Sequence, residues 1–111
     1  MALEQVLTPK QKALEVNLNP KIYGSFAEIG AGQETVRFFY RAGAASGTVA
    51  KAMSAYDKEM SDSIYGIEEN RRYVTQARLK KMLDHEMELM KERLTHDNYK
   101  EKAFFTYANT V

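Results

Sequence analysis

The sequence predicts a small α/β domain, in which helices pack on a mixed sheet, and three observations lead to that class. Apolar residues recur at three- and four-residue steps between Leu79 and Leu94, which is typical of a helix. Residues 103–108 are rich in aromatic side chains, which favours a strand. A short apolar stretch at residues 26–29 leads through a glycine-rich turn into a helix-like segment. A mostly α-helical protein is the alternative.

Length and composition bound the function. With 111 residues there is room for a single domain, residues 1–111, and a hydrophobic content of 44% supports a modest core. The net charge of +1 lacks the basic excess of a dedicated nucleic-acid-binding protein. The absence of cysteine excludes thiol nucleophiles and cysteine-bound metals. No signal peptide or membrane-spanning run is evident, so a cytoplasmic location is expected, without membrane partners.

The first helix is predicted from its ends. Thr8 is a good N-cap and Pro9 suits the first helical position, because proline needs no partner for the missing N–H. The helix is expected to run to about Asn17, and Asn19 and Pro20 end it.

A strand–turn–helix unit is predicted next. The strand covers residues 26–29, the turn contains Gly30 and Gly32, and the helix covers about 33–42, with apolar residues on one face. Small residues at 43–47 indicate a loop.

Residues 48–56 fit two structures. As a helix, Val49, Met53, Tyr56, Met60 and Ile64 form an apolar stripe, and periodicity alone slightly favours this interpretation. As a strand, the segment would be buried on both faces. The choice matters because a βαβ unit exists only if these residues form a strand.

The last elements are a long helix and an aromatic strand. Thr75 can cap the helix, and residues 103–108 form the strand. Such a strand needs neighbours, yet the sequence ends at Val111. We therefore expect the chain to be the N-terminal portion of a longer protein whose missing part completes the sheet.

The glycine turn is the leading candidate site. A strand that ends in Gly-x-Gly before a helix can hold a nucleotide, because glycine allows close approach and the helix start offers free N–H groups. If residues 48–56 form a strand, Asp57 follows its end and can accept the ribose hydroxyls. The pattern resembles the first motif of methyltransferases that bind S-adenosylmethionine, although Glu34 replaces a further glycine. Alternatively, Gly30 and Gly32 serve backbone geometry alone.

Other polar clusters are weaker leads. Carboxylates at Asp57, Asp62, Glu68 and Glu69 could bind a divalent cation through oxygen atoms, but their spacing does not force them together. Asp84, His85, Glu86 and Glu88 lack the second histidine of a zinc motif and are typical of a solvated helix face. Arg71, Arg72 and Arg78 could contact phosphates or pair with acids. No metal site is predicted, and the cofactor stays unknown.

Several strings resemble a family of uncharacterised bacterial proteins. They are Ile-Tyr-Gly-Ser-Phe-Ala-Glu-Ile-Gly-Ala-Gly-Gln-Glu at 22–34, together with residues 45–51, 54–57, 61–66, 79–94 and 104–111. Members are several times longer and carry labels such as nicotinate-nucleotide adenylyltransferase or TonB-dependent receptor. The resemblance implies an N-terminal segment, nominally of a nucleotidyltransferase, and favours a strand at 48–56. It implies no particular catalytic residues.

Two functions follow as expectations. The first is nucleotide binding at Gly30, Gly32 and Asp57 within a larger bacterial enzyme. The second is a non-catalytic interaction or assembly module. In that case the helix face with Met82, Met87 and Met90 contacts the rest of the full-length protein or a second copy, since methionine-rich faces accommodate varied partners.

Overall fold

The computed structural model describes residues 6–29 and 34–110, which contain four α-helices, three β-strands and two short 3₁₀ turns. In chain order the helices and strands are α1 (Pro9–Asn17), β1 (Ile22–Ile29), α2 (Thr35–Ala42), β2 (Val49–Met53), α3 (Lys58–Tyr65), α4 (Gln76–Arg93) and β3 (Ala103–Thr110). The α/β class predicted from the sequence is therefore confirmed. Among these residues no helix combines the length and the apolar character needed to cross a membrane.

The strands form one sheet in the order β2-β1-β3. Both pairings are parallel, with Ala27 opposite Met53 on one side and opposite Ala108 on the other. The sequence predicted a mixed sheet, and the part of the chain that the structure describes corrects this to a parallel one. The reason is the connections, since α2 joins β1 to β2 while α3 and α4 join β2 to β3, and such crossovers bring strands back in the same direction.

Helices cover both faces of the sheet. Side chains alternate along a strand, so Phe26 and Ala27 face opposite sides. The Phe26 ring lies 5.1 Å from the Phe39 ring of α2, centroid to centroid. Ala27 instead belongs to a buried cluster with Tyr65 of α3 and Met82 of α4. The sheet thus lies between α2 on one face and α3 and α4 on the other, as expected for parallel strands.

Capping residues define the helix starts as predicted. Thr8 accepts a hydrogen bond from the backbone N–H of Gln11, whose side chain accepts the N–H of Thr8 in return. Thr75 similarly accepts the N–H of Arg78 at the start of α4. The predicted beginnings of both helices are confirmed, as is the end of α1 at Asn17.

Residues 49–53 form a strand, not the helix that periodicity slightly favoured. The segment pairs with β1 along its length, and this pairing outweighs the helical preference of its alanine, lysine and methionine residues. Met60 and Ile64, which seemed to extend the helical stripe, belong to α3. That separate helix was not predicted from the sequence.

Strands β1 and β3 extend beyond their predicted limits. β1 begins at Ile22 and β3 reaches Thr110. The extension of β1 contains Gly24, where any side chain would overlap the ring and carbonyl oxygen of Phe105 on β3. This glycine therefore permits close packing between strands, although glycine is usually a poor signal for a strand.

Candidate ligand-binding edge of the sheet

The carboxyl ends of the three strands lie at one edge of the sheet, because all three run in the same direction. The chain leaves β1, passes through α2 and returns on one side of β1 as β2. It then passes through α3 and α4 and returns on the other side of β1 as β3. The two connections therefore diverge at the end of β1, and in open α/β sheets such a divergence creates a crevice in which ligands bind.

The glycine turn of the leading hypothesis lies only partly within the described residues. Gly30 and Gly32 fall outside them, so their predicted role stays a prediction. The flanking residues are placed: β1 ends at Ile29, and α2 begins at Thr35. Glu34 precedes α2, is exposed and makes no side-chain capping hydrogen bond. A strand and a helix thus flank residues 30–33, as the sequence predicted.

Asp57 lies just beyond the carboxyl end of β2. The sequence placed it there on the condition that residues 48–56 contain a strand, and that condition is met. Its Oδ2 accepts the backbone N–H of Met60 at 3.1 Å, which makes Asp57 the N-cap of α3. The side chain is exposed to solvent. Asp57 therefore has a structural role as a cap, and its exposed carboxylate is also available to a ligand at this edge.

A cavity of about 200 Å³ opens at the same edge, on the face that carries α3 and α4. Residues at the ends of all three strands line it: Ile29, Ala55 and Thr110. Tyr56, which precedes Asp57, also lines it and is 78% exposed. The walls are mostly apolar and suit a flat ring, and Lys58, Ser61 and Arg78 add polar groups to the lining.

Glu28 is a second acidic residue at this edge, and it is almost fully buried at 2% exposure. Its Oε1 accepts the backbone N–H of Thr35 at 3.0 Å, and the Nδ2 of Asn109 lies 3.5 Å from the same oxygen. Within residues 6–29 and 34–110, its Oε2 has no hydrogen-bond partner. The sequence analysis did not single out Glu28, although a charged residue inside an apolar strand end is a visible signal.

Arg78 forms the centre of a buried ion cluster and also lines the cavity of about 200 Å³. Its guanidinium is 1% exposed and contacts Glu68 at 2.9 Å and Asp62 at 3.4 Å. It also donates to Ser61 Oγ and to the carbonyl of Gly66. Of the two alternatives predicted for Arg78, the structure shows pairing with acids, and Asp62 and Glu68 are paired with cations of the protein itself.

Asp84 and Glu86 lie on different sides of α4. Asp84 pairs with Lys80 at 2.7 Å on the exposed side of the helix. Glu86 is buried, forms an ion pair with Lys51 of β2, and accepts the hydroxyl of Tyr65 at 2.9 Å. Burial and the neighbouring Glu86 carboxylate raise the pKa of Tyr65 well above its ordinary value. In the part of the chain that the structure describes, no three metal-binding side chains come together.

The methionine face of α4 is largely part of the core of this chain. Met82 is completely buried and Met90 is 4% exposed, while Met87 is partly buried. Two of the three residues predicted to contact a partner are therefore occupied by contacts within the chain. The common structural role of a methionine stripe, core packing, explains them.

Comparisons with protein-family models, with curated proteins and with solved structures find no match for this chain. The fold and the site define its class on their own terms: a parallel α/β chain with helices on both faces of the sheet and two acidic residues, Glu28 and Asp57, at its carboxyl edge.

Proposed function

We propose that this chain is a nucleotide-binding segment of a larger enzyme, and that its ligand lies across the carboxyl ends of β1 and β2. In this proposal Asp57 accepts the sugar hydroxyls, and the turn with Gly30 and Gly32 allows the ligand to approach the backbone. The base occupies the cavity beside Tyr56.

One observation carries the proposal: the acidic residue Asp57 lies four residues past the end of β2, in a parallel sheet whose order is β2-β1-β3. In dinucleotide-binding folds an acidic residue about 20 residues beyond the glycine turn binds the ribose. The cavity of about 200 Å³ supports the proposal. It lies below the range of about 300 to 1,000 Å³ that whole drug-sized ligands occupy, so it suits one ring system.

The test compares two conservative variants. Asp57→Asn preserves the cap of α3, because asparagine and aspartate cap helices about equally well, but it removes the charge. Asp97→Asn is the matched control, since Asp97 is an exposed acid in the turn before β3, at the opposite edge of the sheet. We expect Asp57→Asn to weaken nucleotide binding by about tenfold or more, because hydrogen bonds to charged groups are among the stronger ones.

Binding is measured by thermal unfolding and by titration calorimetry with ATP, NAD and S-adenosylmethionine. A ligand at a hundredfold its Kd stabilises the folded state by about 2.7 kcal/mol, which is an easily measured shift. Gly32→Val should also reduce the ligand-induced rise in unfolding temperature, because the proposal places this glycine next to the ligand. The proposal fails if no compound shifts the unfolding temperature, or if Asp57→Asn binds as tightly as Asp97→Asn.

A further inference from the structure

Glu28 is a buried carboxylate with incomplete partners within the described residues. One oxygen is held by the first N–H of α2, and the other has no hydrogen-bond partner among residues 6–29 and 34–110. A buried carboxylate is costly unless both oxygens find donors or a cation. The other buried glutamates have such partners: Glu68 meets Arg78 and Lys81, and Glu86 meets Lys51. Glu28 therefore offers a place for a donor from outside the chain.

The position of Glu28 also disfavours a phosphate at the start of α2. The N-terminus of a helix attracts anions through its free N–H groups. Here the N–H of Thr35 already donates to Glu28, so a carboxylate of the protein occupies this end of the helix. The exposed Glu34 adds a second negative charge next to it. A phosphate would meet two acids and one fewer free N–H group.

The space beside Glu28 fits a head group with both signs of charge. A cavity of about 270 Å³ lies on the α2 face of the sheet and is lined by Glu28 and Arg37, with Ala52, Met53 and Ser54 of the β2 end along another wall. An acceptor and a guanidinium in one cavity complement an α-amino-acid group, whose ammonium would donate to Glu28 while its carboxylate meets Arg37.

We infer that Glu28 is a ligand-binding residue, and that the edge of the sheet selects a nucleoside carrying an amino-acid head group over a nucleoside phosphate. This inference rests on the proposed function, because it assumes that the same edge binds the nucleoside. It names the ligand class, and it places the head group on the α2 face and the base on the opposite face.

Three probes with the same nucleoside test the inference: S-adenosylhomocysteine, 5′-methylthioadenosine, which is also a neutral thioether but lacks the amino-acid group, and AMP. We expect the chain to bind S-adenosylhomocysteine at least tenfold more tightly than either of the others. Glu28→Gln should reduce this preference to near one, because an amide carries no charge for the ammonium. Glu34→Gln is the matched control, since Glu34 is a neighbouring acid that does not line the cavity, and it should retain the preference.

The stability of the free protein separates a ligand role from a structural one. Glutamine keeps an acceptor for the Thr35 N–H, so Glu28→Gln should unfold at the same temperature as the parent chain or higher. A lower unfolding temperature with an unchanged ligand preference would assign Glu28 a structural role and overturn the inference.

The two proposals fail in different ways. Equal binding of all three probes by the parent chain, with weaker binding of all three by Asp57→Asn, would overturn the role of Glu28 and leave nucleoside binding intact. Binding of none of the probes would overturn both.

Discussion

The buried charges of Arg78 and Glu28 differ in the number of partners that each one contacts within the described residues. In the cluster, one guanidinium meets two carboxylates, a hydroxyl and a backbone carbonyl, so its charge is compensated within the chain. At the carboxyl edge of the sheet, Glu28 is equally buried but meets one backbone N–H and one distant amide. The contacts of the cluster are explained by the fold alone, whereas the Oε2 of Glu28, which has no partner among the described residues, is the observation behind its proposed ligand role.

The largest expected effect comes from removing the centre of the cluster. Arg78→Met should destabilise the protein by about 3 kcal/mol, because Asp62 and Glu68 would lose their buried partner and keep only Lys58 and Lys81. Arg72→Met is the control, since Arg72 is exposed, and it should change the free energy of unfolding by less than about 0.5 kcal/mol. Urea unfolding followed by circular dichroism measures both. Similar free energies of unfolding for the two variants would mean that the Arg78 cluster does not stabilise the fold.

A smaller loss is expected at the second partnered glutamate. Glu86→Ala should cost about 2 kcal/mol, because the buried hydroxyl of Tyr65 would lose its acceptor. Glu88→Ala, on the exposed side of the same helix, is the control and should have little effect. Equal urea midpoints for the two variants would mean that the buried contacts of Glu86 do not stabilise the folded state.

The smallest expected effect is a dependence on acid pH. Hydrogen bonds from Lys81 hold the pKa of Glu68 below its ordinary value, against the opposing effect of burial and with further help from Arg78. Burial raises the pKa of Asp62, but hydrogen bonds from Lys58 and Tyr73 outweigh it, so that this pKa is also lowered. The folded state therefore binds these protons less readily than the unfolded state does.

The sign of the pH effect follows from those lowered values. The stability that the two carboxylates contribute is complete above their unfolded pKa values, near pH 4, and is lost as the pH falls through the lower folded values. Urea midpoints at pH 7, 4.5 and 3 should decline more steeply for the parent chain than for Glu68→Gln. Parallel declines would show that Glu68 does not contribute to acid sensitivity.

Local signals made part of this structure predictable from the sequence. Thr8 and Thr75 predict where their helices begin, because each capping hydrogen bond joins residues only three positions apart. The strand at residues 49–53 was left open because its identity depends on β1, which lies far away in the chain and which no local pattern reports. The helix α3 was not predicted because Met60 and Ile64 continue the three- and four-residue spacing that begins at Val49. They therefore seemed to belong to one helix with that residue.

The candidate site was predictable to a similar degree. Asp57 could be placed beyond a strand because it follows that strand directly in the sequence. The burial of Glu28 depends on contacts with Thr35 and Asn109, and the second of these lies 81 residues away. The charge of Glu28 within an apolar strand is visible in the sequence, but only the folded chain shows that one of its oxygens lacks a partner among the described residues.

The central position of β1 has a consequence for how the chain folds. Glu28 and its register partner Asn109 are 81 residues apart, so one whole side of the central strand forms only after nearly all of the described chain is available. Pairings between such distant segments require a long loop to close first, which slows folding. During synthesis on the ribosome, the backbone groups on one side of β1 should therefore stay unpaired until β3 emerges. A chain from which β3 is deleted should be prone to aggregation, because that side of β1 would stay exposed.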